Sequence, residues 1–364
     1  MIPYYILLFA PLLFYLYAQN GRITVYNKIN TKEQKWVVGS FFAIFLLMLS
    51  LRGLACGSDT RNYLYYFNVD LPLSFGAILQ KYNIEVLFHL LNKAISVISK
   101  DYQFYLAVIA VMCILPLWKL YKEESELPYL SIILFLTVAP FSMYFSGLRQ
   151  ALAISGAPIA FYFCKKKRLI PYTITCVVAI MFHQSAIMLF LMYPIYRAKI
   201  TRNWLYFVVP IMAVTLVFNS RIYTMIAPLM GERYYERYGA TSSTGAYSVI
   251  LLLLVLAIFA ILVPNDDQMD DDTIGLRNLL FLSVCLQCFA PVNTIAMRMN
   301  YYYLIFVPLT ISKVVTRSKR QYRQLAYFAT VAMCGVFLLY FIYQMYKSSD
   351  IMQLYPYVGF WQNR

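Results

Sequence analysis

Charge is scarce in this sequence: 13% of its 364 residues are charged, with 16 Asp and Glu against 31 Lys and Arg. A soluble domain carries about 25% charged residues, so an ordinary water-soluble fold is excluded. Histidine is rarer still. His89 and His183 are the two in the chain, too few for a histidine-rich metal centre. The seven cysteines are odd in number and sit mostly inside apolar runs, which argues against a disulfide framework. Cys285 and Cys288 form a CxxC, but it lies within the apolar run Leu279 to Ala290 with no second ligand pair nearby, and zinc takes four ligands. The pair reads as packing.

In place of charge there are apolar and aromatic side chains, 61% and 18% of the chain, and a mean hydropathy of +0.62. About 20 apolar residues span a bilayer, and such stretches follow one another here with short polar connectors. The expected fold is an all-α polytopic membrane protein forming a single integral membrane domain over residues 1–364. Candidate spans lie near Ile6–Tyr17, Trp36–Leu51, Phe104–Trp118, Leu130–Phe145, Leu148–Phe163, Trp204–Phe218, Ser248–Val263, Leu276–Ala290, Tyr302–Ile311 and Leu325–Tyr343. The first lacks a basic flank and a small-residue cleavage site, so it reads as a retained span.

The net charge of +15 sits in short connectors, which speaks for orientation rather than nucleic acid. Arg22 to Lys35, Lys165 to Arg168, Arg197 to Arg202 and Lys313 to Arg323 are the basic connectors, and basic connectors stay cytoplasmic. Two consequences follow. Leu169 to Tyr196 is flanked by basic connectors at both ends, so it goes out and comes back as a tight or re-entrant helical hairpin turning at Phe182-His183-Gln184-Ser185. Asn83 to Ser99, carrying Glu85, His89, Asn92 and Lys93, reads as amphipathic and outer-surface rather than spanning. The sum is about 10–12 transmembrane helices.

With that topology the outer face collects Gly57 to Tyr63, Ser146 to Gln150, His183, the loop Arg221 to Tyr247, and Asn293 to Tyr303 with Arg298. Ionisable groups at the edge of an apolar span are costly and mark functional sites. Each also has a plainer reading. Arg149 and Arg298 can snorkel to the interface, His183 can be a satisfied core histidine, and Arg233 and Arg237 can be solvated. As a set, arginines facing a lumen suit a diphosphate, because the guanidinium fork pairs phosphate oxygens and keeps its charge. Asp59 or His183 can accept a proton. Together they describe a glycosyl-transfer site with no metal and no cofactor, since no Asp-x-Asp or Cys/His ligand set lies on the outer side.

Gly57-Ser58-Asp59-Thr60-Arg61-Asn62-Tyr63, then Ser146-Gly147-Leu148-Arg149-Gln150-Ala151-Leu152-Ala153, then Phe182-His183-Gln184-Ser185-Ala186, resemble in order and spacing the EpsG family of Wzy-type bacterial polysaccharide polymerases. Arg298 followed by Tyr301, Tyr302 and Tyr303 resembles the arginine and aromatics late in such proteins. The resemblance implies polymerisation of undecaprenyl-diphosphate-linked oligosaccharide repeat units at the outer face of the bacterial inner membrane, on a GT-C-like fold. It implies His183 and Asp59 as catalytic residues and Arg149 and Arg298 as diphosphate-binding residues. Arg61, Tyr63, Gln150, Arg233 and Arg237 are further substrate-contact candidates, with loops 53–101 and 220–247 contributing to the site. Membrane lipids and a chain-length regulator protein are the other implied partners, and no nucleic acid.

The rival readings are a lipid-linked oligosaccharide flippase and a membrane acyltransferase. A flippase needs polar groups open to both leaflets, whereas the buried groups here favour one side. An acyltransferase drawing acyl-coenzyme A from inside fits poorly with an outer His183. A ligase moving finished glycan to another acceptor is a variant of the polymerase class.

Overall fold

The computed structural model describes residues 1–18, 31–199, 205–226, 246–264, 269–292, 294–347 and 352–362. Arg22, Arg233, Arg237 and most of the loop between Arg221 and Tyr247 therefore lie outside the described residues. Within them the chain is helical. No strand occurs, and the extended contacts are isolated bridges, Arg52 with Gly359 and Pro264 with Ser318.

The apolar runs become helices because their backbone groups pair internally and leave only apolar side chains outside. They are α1 (Ile2–Ala18), α2 (Thr31–Leu51), α6 (Tyr102–Glu124), α9 (Leu148–Lys165) and α10 (Leu169–Phe182), with α12 (Leu205–Val217), α14 (Ala246–Leu262), α15 (Asp271–Gln287) and α18 (Arg323–Tyr346) later in the chain. Between α2 and α6 lie three short helices, α3 (Thr60–Asp70), α4 (Phe75–Lys81) and α5 (Val86–Ile98). Two segments, Tyr102–Glu124 and Arg320–Tyr346, are long and apolar enough to cross a membrane by themselves, and several shorter apolar helices accompany them. Large apolar side chains such as Leu115, Leu251, Val255, Phe328 and Leu339 are exposed along these helices, a pattern that water does not tolerate over so wide a surface.

Two expected spans are broken. Leu130 to Phe145 divides into α7 (Pro128–Thr137) and α8 (Met143–Ser146), with Pro140 in the interruption. Tyr302 to Ile311 straddles a break between α16 (Thr294–Leu304) and α17 (Val307–Thr316), where Pro308 stands near the new helix start. Proline has no N–H to give the preceding turn, so a helix interior cannot continue through it without loss. Unpaired backbone at such breaks is tolerated where it lines a cavity. Residues Val138 to Ser142, with Met297, Tyr301 and Leu304 of α16, line a cleft of about 500 Å³.

The hairpin is present. After α10 the chain is extended at His183, runs through a 3-10 segment Gln184–Leu191, and returns as α11 (Met192–Arg197). The Tyr172 hydroxyl closes its two legs by donating to the Leu189 carbonyl and accepting from the Tyr193 N–H.

At the opposite end of α9 from Arg149, charges are paired. Glu124 accepts from Lys165 at 2.7 Å and Lys313 at 2.5 Å, and Lys165 also meets Asp272 at 2.5 Å. Glu126 holds Arg317 through both carboxylate oxygens, at 2.9 and 3.0 Å. Asp270 caps α15 by accepting from the Thr273 N–H at 2.7 Å and accepts from Arg317 at 2.9 Å.

Burial alone would raise the Asp270 carboxyl, but the Thr273 hydrogen bonds and the Arg317 charge outweigh it and hold it at about 2. A depressed carboxyl contributes its stability above the unfolded value, near 3.9, and loses it as pH falls toward 2. Asp270→Ala is expected to cost about 1 kcal/mol through the lost cap, the half-exposed pair with Arg317 adding little. Thermal unfolding in detergent should show that deficit at pH 7 and its shrinkage below pH 4. A deficit that stays constant with pH would contradict the assignment.

Candidate functional site

Segments expected on the outer face meet around one carboxylate. Glu85 precedes α5 with left-handed backbone angles, φ 55° and ψ 32°, which a non-glycine residue adopts at a cost. That conformation is over-determined by its side chain. Oε2 accepts from Arg149 Nη1 at 2.6 Å, while Oε1 accepts from His183 Nδ1 and from the Gln184 N–H at 3.3 Å. Glu85 is 9% exposed, His183 12% and Arg149 31%, so the pair with Arg149 is sheltered on one side and open on the other.

Arg149 stands at the start of α9, over the rings of Tyr66 and Phe88 at 5.5 and 5.8 Å and beside the buried Tyr63. It is not a snorkelling arginine: its charge is met by a carboxylate and aromatic faces. Because a carboxylate only accepts, His183 Nδ1 must donate to it, which leaves Nε2 as the basic nitrogen of the neutral ring. His183 Nε2 and Arg149 Nε are both buried with no hydrogen-bond partner among the described residues. Such groups are rare, and each asks for a ligand or water.

Gln150, next to Arg149, donates to the main-chain carbonyl of Arg298 at 2.9 Å, so α9 and α16 are joined at that arginine. Arg298 is half-buried, and no ion pair engages it among the described residues. The hairpin apex is fixed to the same helix by Ser185 Oγ with the Tyr302 hydroxyl at 2.9 Å and by Tyr303 donating to the Met188 carbonyl. Tyr63, Arg149, His183, Gln150 and Arg298 are thus brought into one neighbourhood. Arg61 is exposed on α3, and Asp59, at the start of that helix, accepts from Asn62 at 3.3 Å; neither reaches the Glu85 cluster by a hydrogen bond.

The loop carrying Asp59 is set by close packing. Gly57 has φ 100°, and a Cβ there would lie 2.4 Å from the Phe145 carbonyl oxygen, so only glycine fits. A segment near the chain's far end supports it. Gly57 N–H donates to the Gln353 carbonyl and Ser58 N–H to that of Met352, both at 2.9 Å, while Ser146 Oγ bridges Ser58 N–H at 3.2 Å and the Met352 carbonyl at 3.0 Å.

Sequence reasoning placed Glu85 on the outer surface but gave it no role. The signal that could have found it is charge balance, since an arginine and a histidine at one apolar depth call for an anion and Glu85 is an acidic residue on that side.

A second polar cluster joins α3, α4 and α5. The fully buried Asp70 accepts from His89 Nδ1 at 2.7 Å, Asn92 at 2.8 Å and the Tyr82 hydroxyl at 3.1 Å, with the Tyr82 ring stacked on His89 at 3.5 Å. It clamps α3, α4 and α5 together and so fixes the base on which Glu85 stands. No group of three or more His, Cys, Asp or Glu that could hold a metal occurs among the described residues.

Burial would raise the Glu85 carboxyl, but the hydrogen bonds from His183 and the Gln184 N–H and the charge of Arg149 hold it below its usual range. Its stabilisation is complete above about pH 4.3 and is lost as pH falls through the depressed value. Glu85→Gln should cost about 1–3 kcal/mol at pH 7, and the gap in unfolding temperature should close as the medium is acidified below pH 4. Equal unfolding temperatures at pH 7 would sink the claim that this carboxylate holds the site together.

A family model, that of the EpsG family, matches residues 35–358, which takes in every segment of the site. No curated protein and no solved structure matches the chain.

Proposed function

We propose, for a chain that belongs to the EpsG family and is therefore a polysaccharide-related membrane protein, that it is a multi-pass polymerase of the bacterial inner membrane. It joins oligosaccharide repeat units carried on undecaprenyl diphosphate, at the outer face, on a GT-C-like bundle of about 10–12 spans. The observation that carries this reading is the Glu85–His183–Arg149 constellation with the Nε2 nitrogen of His183 buried and unpartnered.

Glu85 holds the imidazole through Nδ1, so Nε2 is the atom that takes the proton from a hydroxyl of the incoming repeat unit. As that O–H bond breaks, the oxygen bonds the anomeric carbon of the growing chain. The bond from that carbon to the diphosphate oxygen breaks, and the electron pair leaves with undecaprenyl diphosphate. Glu85 stabilises the imidazolium so formed. Arg298, free of carboxylate partners among the described residues, and the open side of Arg149 bind the diphosphate and stabilise its growing charge. Tyr63 and Gln150 position the two arginines. Asp59 is the second candidate base, and Arg61, Arg233 and Arg237 are candidates for contact with the sugars.

The cleft of about 500 Å³ is lined by Met297, next to Arg298, and by Tyr301, about one turn further along the helix, and is walled by Leu136, Leu252, Phe337 and Phe341. It suits the proximal part of a prenyl tail whose diphosphate lies at Arg298. Loops 53–101 and 220–247 would frame the sugars, and a chain-length regulator protein would act from outside the bundle.

The test is complementation of a polymerase-deleted host, with membrane levels of every variant checked by blot, together with turnover of lipid-linked repeat units by purified protein. Wild type should restore long chains. His183→Ala should lower turnover by about 10²–10⁴-fold, and Arg298→Ala should leave single lipid-linked units on the outer leaflet. Units stranded on the inner leaflet would point to a flippase, and unchanged chain length in every variant would end the polymerase reading.

A further inference from the structure

Far from the Glu85 cluster, at the other ends of α6 and α9, lies a separate cleft of about 600 Å³. It begins where both helices carry a proline, Pro116 and Pro158, and it ends among Lys119, Glu123, Glu124, Lys165 and Lys166. The two helices are held at mid-length by Ser155 donating to the Cys113 carbonyl at 3.1 Å. Beyond that point apolar Leu120, Ile159, Phe161 and Phe163 line the space between them.

The charges in this cleft do not all cancel. Lys165 and Glu124 are consumed by each other, by Asp272 and by Lys313. Lys119 and Lys166 remain against Glu123, which is exposed. Both ammonium groups converge on a single ring, that of Tyr162, at 4.9 and 4.3 Å from its centroid, and Lys166 donates to the Tyr162 hydroxyl at 2.7 Å. Like charges drawn to one ring repel, and an anion between them would offset that repulsion. Ile159 in the cleft wall and Leu115 just beyond it are exposed large apolar side chains, as a lipid-facing surface requires.

We propose that this cleft binds one anionic glycerophospholipid, its phosphate between Lys119 and Lys166 with the Tyr162 hydroxyl as a further polar contact, and an acyl chain along Pro116, Leu120, Pro158 and Phe163. Charge complementarity selects the headgroup, and the apolar wall continuous with the exposed helix face selects a lipid over a free anion. The site is independent of the polymerase reading, because it shares no residue with the Glu85 cluster.

The experiment is native mass spectrometry of the full chain released from detergent, titrated separately with phosphatidylglycerol, phosphatidylcholine and inorganic phosphate. Phosphatidylglycerol should bind with one site stronger than the rest, and the doubly substituted Lys119→Gln, Lys166→Gln protein should bind it about tenfold more weakly. Tyr162→Phe should show a smaller loss. Both lysines are exposed, and an unchanged unfolding temperature of the double variant checks its fold. Equal binding of phosphatidylcholine and phosphatidylglycerol would overturn the proposal, as would unaltered affinity in the double variant. Inorganic phosphate bound as tightly as the lipid would overturn the assignment to a lipid. Polymer turnover plays no part in this readout, so its failure and that of the proposed function are separable.

Discussion

A carboxylate taken out of water must be matched by donors, and the arrangement of the end of the bundle around Glu85 follows from how it is matched. Its two oxygens draw Arg149 from the start of α9 and His183 from the hairpin apex, residues 64 and 98 positions away. Those two contacts fix the depth of α9 relative to α10 and the tautomer of the histidine. They also hold α5 to the bundle. Removing the anion would leave a guanidinium and an imidazole facing each other at low dielectric, which is why a strained backbone at Glu85 persists.

The opposite end uses the same device with a different outcome. Glu124 and Glu126 are each engaged by cations from distant helices, and the lysines and arginine involved are largely satisfied. Between the two ends the packing is aromatic, with Phe42, Phe45, Tyr121 and Phe141 arranged around Phe135 at centroid distances of 5.4 to 6.4 Å. His183 Nε2, Arg149 Nε and the amide oxygen of Gln150 are among the buried polar atoms with no hydrogen-bond partner among the described residues, and Thr273 Oγ1 and Ser318 Oγ are further ones at the ion-paired end.

Much of this was legible in the sequence. The apolar runs gave helices, and the loop charges located the hairpin turn at His183, where the chain is in fact extended between its two legs. The ordered strings around Arg149, His183 and Arg298 do gather. The breaks in α7–α8 and α16–α17 were hidden although Pro140 and Pro308 stood in plain view, because hydropathy averages over a window longer than the interruption. Glu85 was hidden for another reason. Its partners lie in segments that no local pattern connects, and an isolated acidic residue before an amphipathic helix looks the same whether it faces water or a histidine. The Asp70–His89 clamp escaped notice in the same way.

The floor under the Asp59 loop is made by residues 352–358, whose carbonyls accept from Gly53, Gly57, Ser58 and Ser146. Ser146 and Met352 are 206 positions apart. A growing chain emerging from the ribosome therefore carries Gly53, Gly57, Ser58 and Ser146 long before the residues that hold them exist. Contacts of this span form late. The Asp59 loop can take its final seat only after residues 352–358 have been made, so its geometry depends on a part of the chain far from it in sequence.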